Sequence, residues 1–351
     1  MPEDVVRTVR GPVPPGAIGP VLAHEHVFFD LRAYWDPSGL HDESIGEAPF
    51  DARFAGLARW DGAAIRDNLA FLPEQDYDLM KEEVGDFQDA AGEGACLVEL
   101  SNLGLAPAPA QLRRLSEDLD MHIVAGCGAY VHAAHPEWVE NASADDLTEY
   151  LHREVTEGIA GTDVRPGIIG EIGTSEDLQP CEERVLEAAA RVAIATGLAI
   201  NIHMHPPALA VSMRILDVLE DAGHALSRTY VSHLDEIWDI DYHTTILERG
   251  VVTGFDSFGQ DGYFSPTWKS LSDNTKARTM VDLIERGFAD QLVMAQDVCK
   301  KHHLLRFGGL GYSHVVRRVV PRLRTVFGLT DDVIERLLVH TPRRLLTVAS
   351  T

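Results

Sequence analysis

Eight short apolar runs, separated by segments with helical periodicity, constrain this chain more than any other feature. The first run opens at Val21, and the others cover 95–100, 121–126, 167–172, 198–203, 229–233, 251–255 and 291–296. Apolar residues recur with a helical period over 77–91, 110–119, 143–158, 182–196, 208–222, 240–249 and 274–286. A strand too apolar to alternate is buried on both faces, and parallel strands reach that state when helices cover them. Eight such units predict an α/β chain that closes into a (β/α)8 TIM barrel. A doubly wound open sheet is the second possibility, but no Gly-x-Gly-x-x-Gly turn follows the first run. A further helix pair is expected over 330–349. No linker divides the chain, so 1–351 reads as a single domain with a long first loop at about 31–64. That loop is rich in Asp, Gly and Pro, carries Tyr34, Trp35, Phe50, Phe54 and Trp60, and reads as a lid or rim.

Polar residues interrupt the apolar runs at their carboxyl ends. His24 and His26 end the first run and stand on one face of a strand by alternation. Glu171 ends the fourth run, His203 the fifth and His233 the sixth, and Asp297 follows the eighth. In a parallel barrel those ends share one mouth. Four imidazoles and two carboxylates gathered there are difficult to explain as packing, because buried charge is unfavourable unless paired or bound to a cation. The set suits two divalent ions, zinc first, with manganese, cobalt or iron as alternatives. His24, His26 and Asp297 would hold one ion, His203 and His233 the other, and Glu171 would bridge. Two such ions can share a hydroxide, the expected nucleophile. Taken singly, Asp297 reads equally as a helix N-cap and His233 as a core histidine.

The stretches Ala23-His-Glu-His26, Gly167-Ile-Ile-Gly-Glu-Ile-Gly-Thr-Ser175, Asn201-Ile-His203, Val231-Ser-His-Leu-Asp235, Gln296-Asp-Val-Cys299 and Gly308-Gly-Leu-Gly-Tyr312 resemble the phosphotriesterase-related branch of the amidohydrolase superfamily. The resemblance runs from about Gly11 to the segment at His340. It implies a distorted, amidohydrolase-type barrel with a binuclear centre and the same six ligands. Glu171 stands where the best-known phosphotriesterases and lactonases carry a carboxylated lysine. This places the chain nearer the phosphotriesterase homology and resiniferatoxin-binding-like members and lowers the expectation of efficient organophosphate hydrolysis.

The site implies hydrolysis at a carbonyl of a lactone, ester or amide, with weak phosphotriesterase side activity. Asp297 and His233 are the expected catalytic residues, the first taking a proton from the hydroxide and the second passing it outward. Asp256-Ser257 on the seventh run lacks the Arg that acyl-homoserine-lactone lactonases carry after that Asp. The alternative is a small-molecule binding protein of the resiniferatoxin-binding type without turnover. Tyr130 and His132 beyond the third run, Phe258 with Tyr263 and Trp268 after the seventh, and Trp35 are expected pocket residues; Arg306 is the expected cation for an anionic substrate group. His205 is placed on the rim, Glu25 in a structural role, His122 at the wrong end of the barrel, and His302 and His303 in a solvated loop.

Composition narrows the partners. The formal net charge of -25 would repel phosphate, which excludes nucleic acid and anionic membrane and leaves a small-molecule substrate. The four cysteines are scattered singly, so neither a disulfide framework nor a thiolate zinc site is expected. No run is long enough to span a bilayer and no signal-like start is present, so a cytoplasmic protein is expected; the family resemblance implies a homodimer.

Overall fold

A computed structural model describes residues 4–204, 208–265 and 268–349, with the backbone alone at 263–265 and 268. The apolar runs form eight strands: β1 (Val21–Glu25), β2 (Cys96–Glu99), β3 (His122–Cys127), β4 (Ile168–Thr174), β5 (Ile200–Met204), β6 (Thr229–Val231), β7 (Val252–Phe255) and β8 (Leu292–Met294). Each pairs in parallel with the next in chain order, and together they make one eight-stranded sheet. The connections are the helices α1 (Pro73–Ala91), α2 (Pro109–Leu119), α3 (Ala144–Thr156), α4 (Pro180–Thr196), α5 (Leu209–Asp221), α6 (Ile240–Leu247) and α7 (Asp273–Glu285). This is the expected distorted (β/α)8 barrel.

Alternation along each strand sorts two cores. Val21, Ala23, Cys96, Val98, Val124, Ile168, Tyr230, Val252 and Val293, from seven of the strands, and Ala199, just before β5, gather into an interior cluster. Leu22, Leu97, Ile123, Ile169 and Ile202 join a larger cluster with the helices, including Leu112, Leu151, Val185 and Ile215. Burial of each such aliphatic side chain contributes about 1.5–3 kcal/mol. Local chemistry bounds the helices: Pro opens α1, α2 and α4, Ser143 and Asp146 form a capping box on α3, and Gly197 ends α4 in the left-handed region.

Strands β8 and β1 share no ladder, so the sheet meets itself at a seam. The Glu25 carboxylate bridges it, accepting the Gln296 N–H at 2.7 Å and the Val298 N–H at 2.9 Å. The Asp297 N–H donates to the His24 carbonyl at 3.2 Å. Glu25 is thus structural, as expected.

One expectation changes. The segment expected as a helix pair over 330–349 ends in a strand, Thr347–Ala349, which pairs antiparallel with Asp4–Thr8; that strand also pairs with Gly11–Val13. Nothing local marks so short a strand when its partner lies at the other end of the chain. The first loop is locally structured, with short helical turns from Arg32–Tyr34 to Arg66–Leu69 and the helix Ala55–Trp60.

Candidate metal centre and cavity

The six expected ligands meet at the carboxyl ends of the strands. His24 lies in β1, with His26 one residue beyond that strand; Glu171 lies in β4 and His203 in β5; His233 and Asp297 follow β6 and β8. Register between β1 and β2 shifts between Leu22 and Glu25, an interval that contains His24, and the His24 and His26 rings stand edge to face with centroids 5.4 Å apart. Glu171 is the hub. Its Oε1 lies 2.7 Å from His203 Nδ1, 3.1 Å from His233 Nε2 and 3.5 Å from His24 Nε2, and its Oε2 lies 3.7 Å from His26 Nε2. Asp297 Oδ1 lies 3.3 Å from His26 Nε2 and 3.7 Å from His24 Nε2. His233 and Asp297 hold positive φ values of 64° and 48°, the sparsely populated conformation that non-glycine residues adopt at sites where the surrounding structure enforces it.

Whether these residues fit metal ions is decided by the nitrogens behind them. His24 Nδ1 lies 2.8 Å from Ser232 Oγ, which also accepts from Asn201 Nδ2 at 2.7 Å. His26 Nδ1 lies 3.0 Å from Ser101 Oγ, whose own proton goes to Glu99 Oε1 at 2.6 Å. His233 Nδ1 donates to Asp256 Oδ1 at 3.1 Å. In all three rings the proton is drawn to Nδ1, and the Nε2 lone pair faces the cup, the arrangement in which imidazoles bind metals. His24 Nε2 and Glu171 Oε2 are buried without a hydrogen-bond partner. Buried polar atoms are seldom left so, and a cation would satisfy both. Among the described residues, His24, His26 and Asp297 form one group of donors within 4.8 Å of one another, and His24, Glu171 and His233 another. The residues fit.

Against burial, Asp297 raises the His26 imidazole, and Asp256 raises that of His233 well above the usual imidazole range, so a cation bound there would take the place of a proton on each ring. Burial pushes the His24 imidazole down to about 4. Burial alone would raise Glu171, but His203, His24 and His233 hold it well below the usual carboxylate range. Asp297 is likewise held low against burial by His26, His24 and His233. Both carboxylates are therefore anionic at neutral pH, as ligands must be.

The centre lies in a cavity of about 620 Å³. Leu31, Tyr34, Asp36, Arg59 and Ala63 from the first loop line it, so that loop forms a rim as expected. Tyr130 also lines it, with its ring centroid 4.9 Å from that of His203. Gly173 permits this approach, because a Cβ there would sit 2.0 Å from Val131 N.

Four other expected pocket residues lie outside this lining, the first of them Trp35, whose indole N–H donates to the Ala64 carbonyl at 3.2 Å. Phe258 is 1% exposed and belongs to the larger apolar core. His132 is half-buried, with Nε2 2.7 Å from Glu140 Oε1. Arg306 is exposed and outside the cavity lining; its backbone N–H donates to Glu83 Oε1 at 2.8 Å, which turns the segment outward. His302 and His303, expected in solvent, are buried and line the cavity. Lys301, paired with Asp67 at 2.8 Å, and Asn68, which accepts the His302 N–H at 3.0 Å, draw this segment inward. His205 and the Tyr263 and Trp268 side chains lie outside the described residues.

Sequence reasoning missed Asp256, Ser232, Ser101 and Gln260, which orient ligands, and Arg59 and Lys300, which line the cavity. Asp256 had a signal, since it ends the seventh run as the ligands end theirs. Gln260 Nε2 donates to Asp297 Oδ2 at 3.0 Å from a loop, where no pattern announces it.

Comparison with known proteins shows the family and the fold. The phosphotriesterase family model matches residues 4–346. The N-acetyltaurine hydrolase of Tetraodon nigroviridis is 33% identical over 348 residues, covering 97% of each chain. A resiniferatoxin-binding protein from Rhodobacter sphaeroides superposes with a TM-score of 0.92 at 34% identity, over 97% of this chain and 94% of that one. The phosphotriesterase homology protein of Escherichia coli, at 24% identity, shares the fold with a TM-score of 0.76 over 94% of this chain and 99% of that one. Among the described residues no helix is long and apolar enough to cross a membrane.

Proposed function

This chain belongs to the phosphotriesterase family, and from that premise we propose that it is a binuclear metal-dependent hydrolase of small N-acyl amides. The observation that carries the reading is the set of three histidines whose Nδ1 protons are held by Ser232, Ser101 and Asp256 while their other nitrogens converge on Glu171 and Asp297. The relatives named N-acetyltaurine hydrolase support an amide as substrate over a lactone or ester. His24, His26 and Asp297 would hold one ion, His203 and His233 the other, and Glu171 would bridge. Bound there, two such ions would supply a hydroxide near neutral pH and would polarise the carbonyl oxygen.

The chain's own residues do the rest. Asp297 Oδ1 faces the cup while Gln260 Nε2 and Cys299 Sγ engage its other oxygen, at 3.0 and 3.5 Å. That leaves one oxygen to receive the proton of the attacking water and return it to the departing nitrogen. His233, with Nδ1 tied to Asp256 and Nε2 turned to Glu171, is placed to hold an ion rather than to carry that proton. The Tyr130 ring and Phe29 give the cavity apolar walls beside the carbonyl.

The likeness to a resiniferatoxin-binding protein supports a second reading, ligand binding without turnover. One experiment separates them: metal-replete protein is offered N-acetyltaurine, other N-acyl amides, a lactone, an ester and a phosphotriester. Amide turnover that a chelator abolishes and added metal restores is the expected result. No turnover on any substrate, together with tight binding of an apolar ligand, would make it a binding protein.

A further inference from the structure

At the end of the barrel opposite the metal cup, a second cavity of about 320 Å³ is lined by Arg7, Arg113 and Arg165. Arg165 stands three residues before β4, and the Val9 N–H donates to the Ile123 carbonyl at 2.9 Å near the start of β3, so this cavity sits at the amino ends of those strands. Such a gathering of arginines stands out in a chain with 55 acidic and 30 basic residues.

The fold enforces the meeting. Val5, Arg7 and Val9 alternate along one edge of the cavity while Val6 joins the interior cluster, so the Arg7 side chain leaves its strand on the cavity side. Gly167 lets the loop before β4 close on that strand, since a Cβ there would sit 2.4 Å from the Arg7 carbonyl oxygen. Arg113 arrives from α2, its Nε donating to the Val9 carbonyl at 2.9 Å and its Nη1 to Asp163 Oδ1 at 2.8 Å. Val9 and Asp163 both line the cavity, which puts this guanidinium on its wall. Arg10 also lines it but is turned away, with Nη1 on Asp120 Oδ1 at 2.9 Å and Nη2 on the Met121 carbonyl at 3.4 Å.

Charge in this cavity is unbalanced. Asp163 is engaged by Arg113, which holds its carboxyl below the usual carboxylate range. Among the described residues, neither the Arg7 nor the Arg165 guanidinium has a carboxylate partner. Burial and then the charge of Arg165 lower the half-buried Arg7 from its ordinary value, and no acidic group raises it. Like charges brought together by a fixed backbone oppose each other until an anion lies between them. A guanidinium is a rigid fork that matches phosphate oxygens in pairs. A carboxylate offers two oxygens, whereas a phosphate group offers three, one for each of these arginines. The net negative charge of the chain acts weakly here, because exposed charges beyond about 8 Å are screened at physiological ionic strength.

We propose that Arg7, Arg113 and Arg165 form a binding site for a phosphate dianion, free or as the head of a small monoester. Bound there, it would fasten the amino-terminal strand, α2 and the loop before β4 together, whatever the metal cup hydrolyses.

The test titrates metal-replete protein calorimetrically with inorganic phosphate and, separately, with glycerol 3-phosphate, at constant ionic strength in chloride. The wild type should bind, and its Tm should rise with phosphate but not with chloride of equal ionic strength. Arg7→Gln and Arg165→Gln should each weaken binding by about tenfold and remove the Tm rise. Arg7→Lys, which keeps the charge and loses the fork, should recover only part. Arg165 is exposed, so its variant carries the test if those at Arg7 fail to fold. Tighter binding of glycerol 3-phosphate would identify a monoester as the occupant, and tighter binding of inorganic phosphate the free ion. Failure of the wild type to bind either probe would overturn the site, as would binding that Arg165→Gln leaves unchanged, the result expected of phosphate held at the metal centre alone.

Discussion

Asp256 holds His233 twice, accepting its backbone N–H at 2.8 Å and its Nδ1 proton at 3.1 Å through the same oxygen. Tyr230 OH occupies the other oxygen at 2.6 Å. One buried carboxylate thus sets both the left-handed backbone of His233 and the nitrogen that its ring presents to Glu171. Asp256→Asn keeps the shape but allows an amide N–H to face Nδ1. Metal affinity or turnover should fall about 10- to 100-fold, as measured by metal analysis after dialysis and by kcat. Unaltered values for both would remove Asp256 from the orientation of the ligand.

Glu171 is the carboxylate that all four imidazoles of the cup approach. Glu171→Ala should release most bound metal, which elemental analysis of the purified variant would read directly. An unchanged metal-to-protein ratio would refute its bridging role.

For Asp297 the expected pattern differs, because the residue has a proton to carry as well as an ion to hold. Asp297→Asn should lower kcat by about 10²- to 10⁴-fold while metal content falls less. Near-normal turnover in that variant would exclude Asp297 as the proton acceptor.

Lys276 is fully buried, with Nζ 2.6 Å from the Ser257 carbonyl, 3.0 Å from Ser270 Oγ, 3.5 Å from Glu236 and 3.9 Å from Asp235. Lys276→Met removes the one cation of this cluster and leaves two buried carboxylates facing each other. A loss of about 3–5 kcal/mol is expected, seen as a lower denaturation midpoint in urea. A change within 1 kcal/mol would show that the cluster relaxes on its own.

Burial pushes the His224 imidazole from 6.5 down to about 4. The unfolded chain therefore binds a proton there that the folded protein refuses between those two values. Stability from this group is complete above about pH 6.5 and is lost as pH falls toward 4. His224→Gln should flatten the Tm profile across that window by the equivalent of roughly 2–3 kcal/mol. Parallel profiles for the two proteins would show that His224 contributes nothing to it.

The barrel was legible because eight buried strands and their covering helices each leave a local periodic trace. The six residues that meet in the cup were legible for a related reason: a charged or imidazole side chain at the end of an apolar run is conspicuous. Tyr130 could be assigned to the cavity only through the family resemblance, and Arg306 and Phe258 were misplaced because loop direction is set by distant partners. Glu83 turns the backbone at Arg306 outward, whereas Asp67 and Asn68 pull Lys301 and His302 in. These contacts span more than 200 residues, and no short-range pattern records them. The serines behind His24 and His26 escaped for the opposite reason, since a serine among strand residues is too ordinary to notice.

The seam between β8 and β1 gains a meaning from the residue that sits on it. Glu25 and the His24 carbonyl hold the backbone of 296–298, and His24, His26 and Asp297 are the same three residues that offer one donor group. An ion bound there would act as a clasp, fastening the last strand of the cylinder to the first. Closure of the fold and assembly of the chemistry would then be a single event, and a half-zipped chain would have neither.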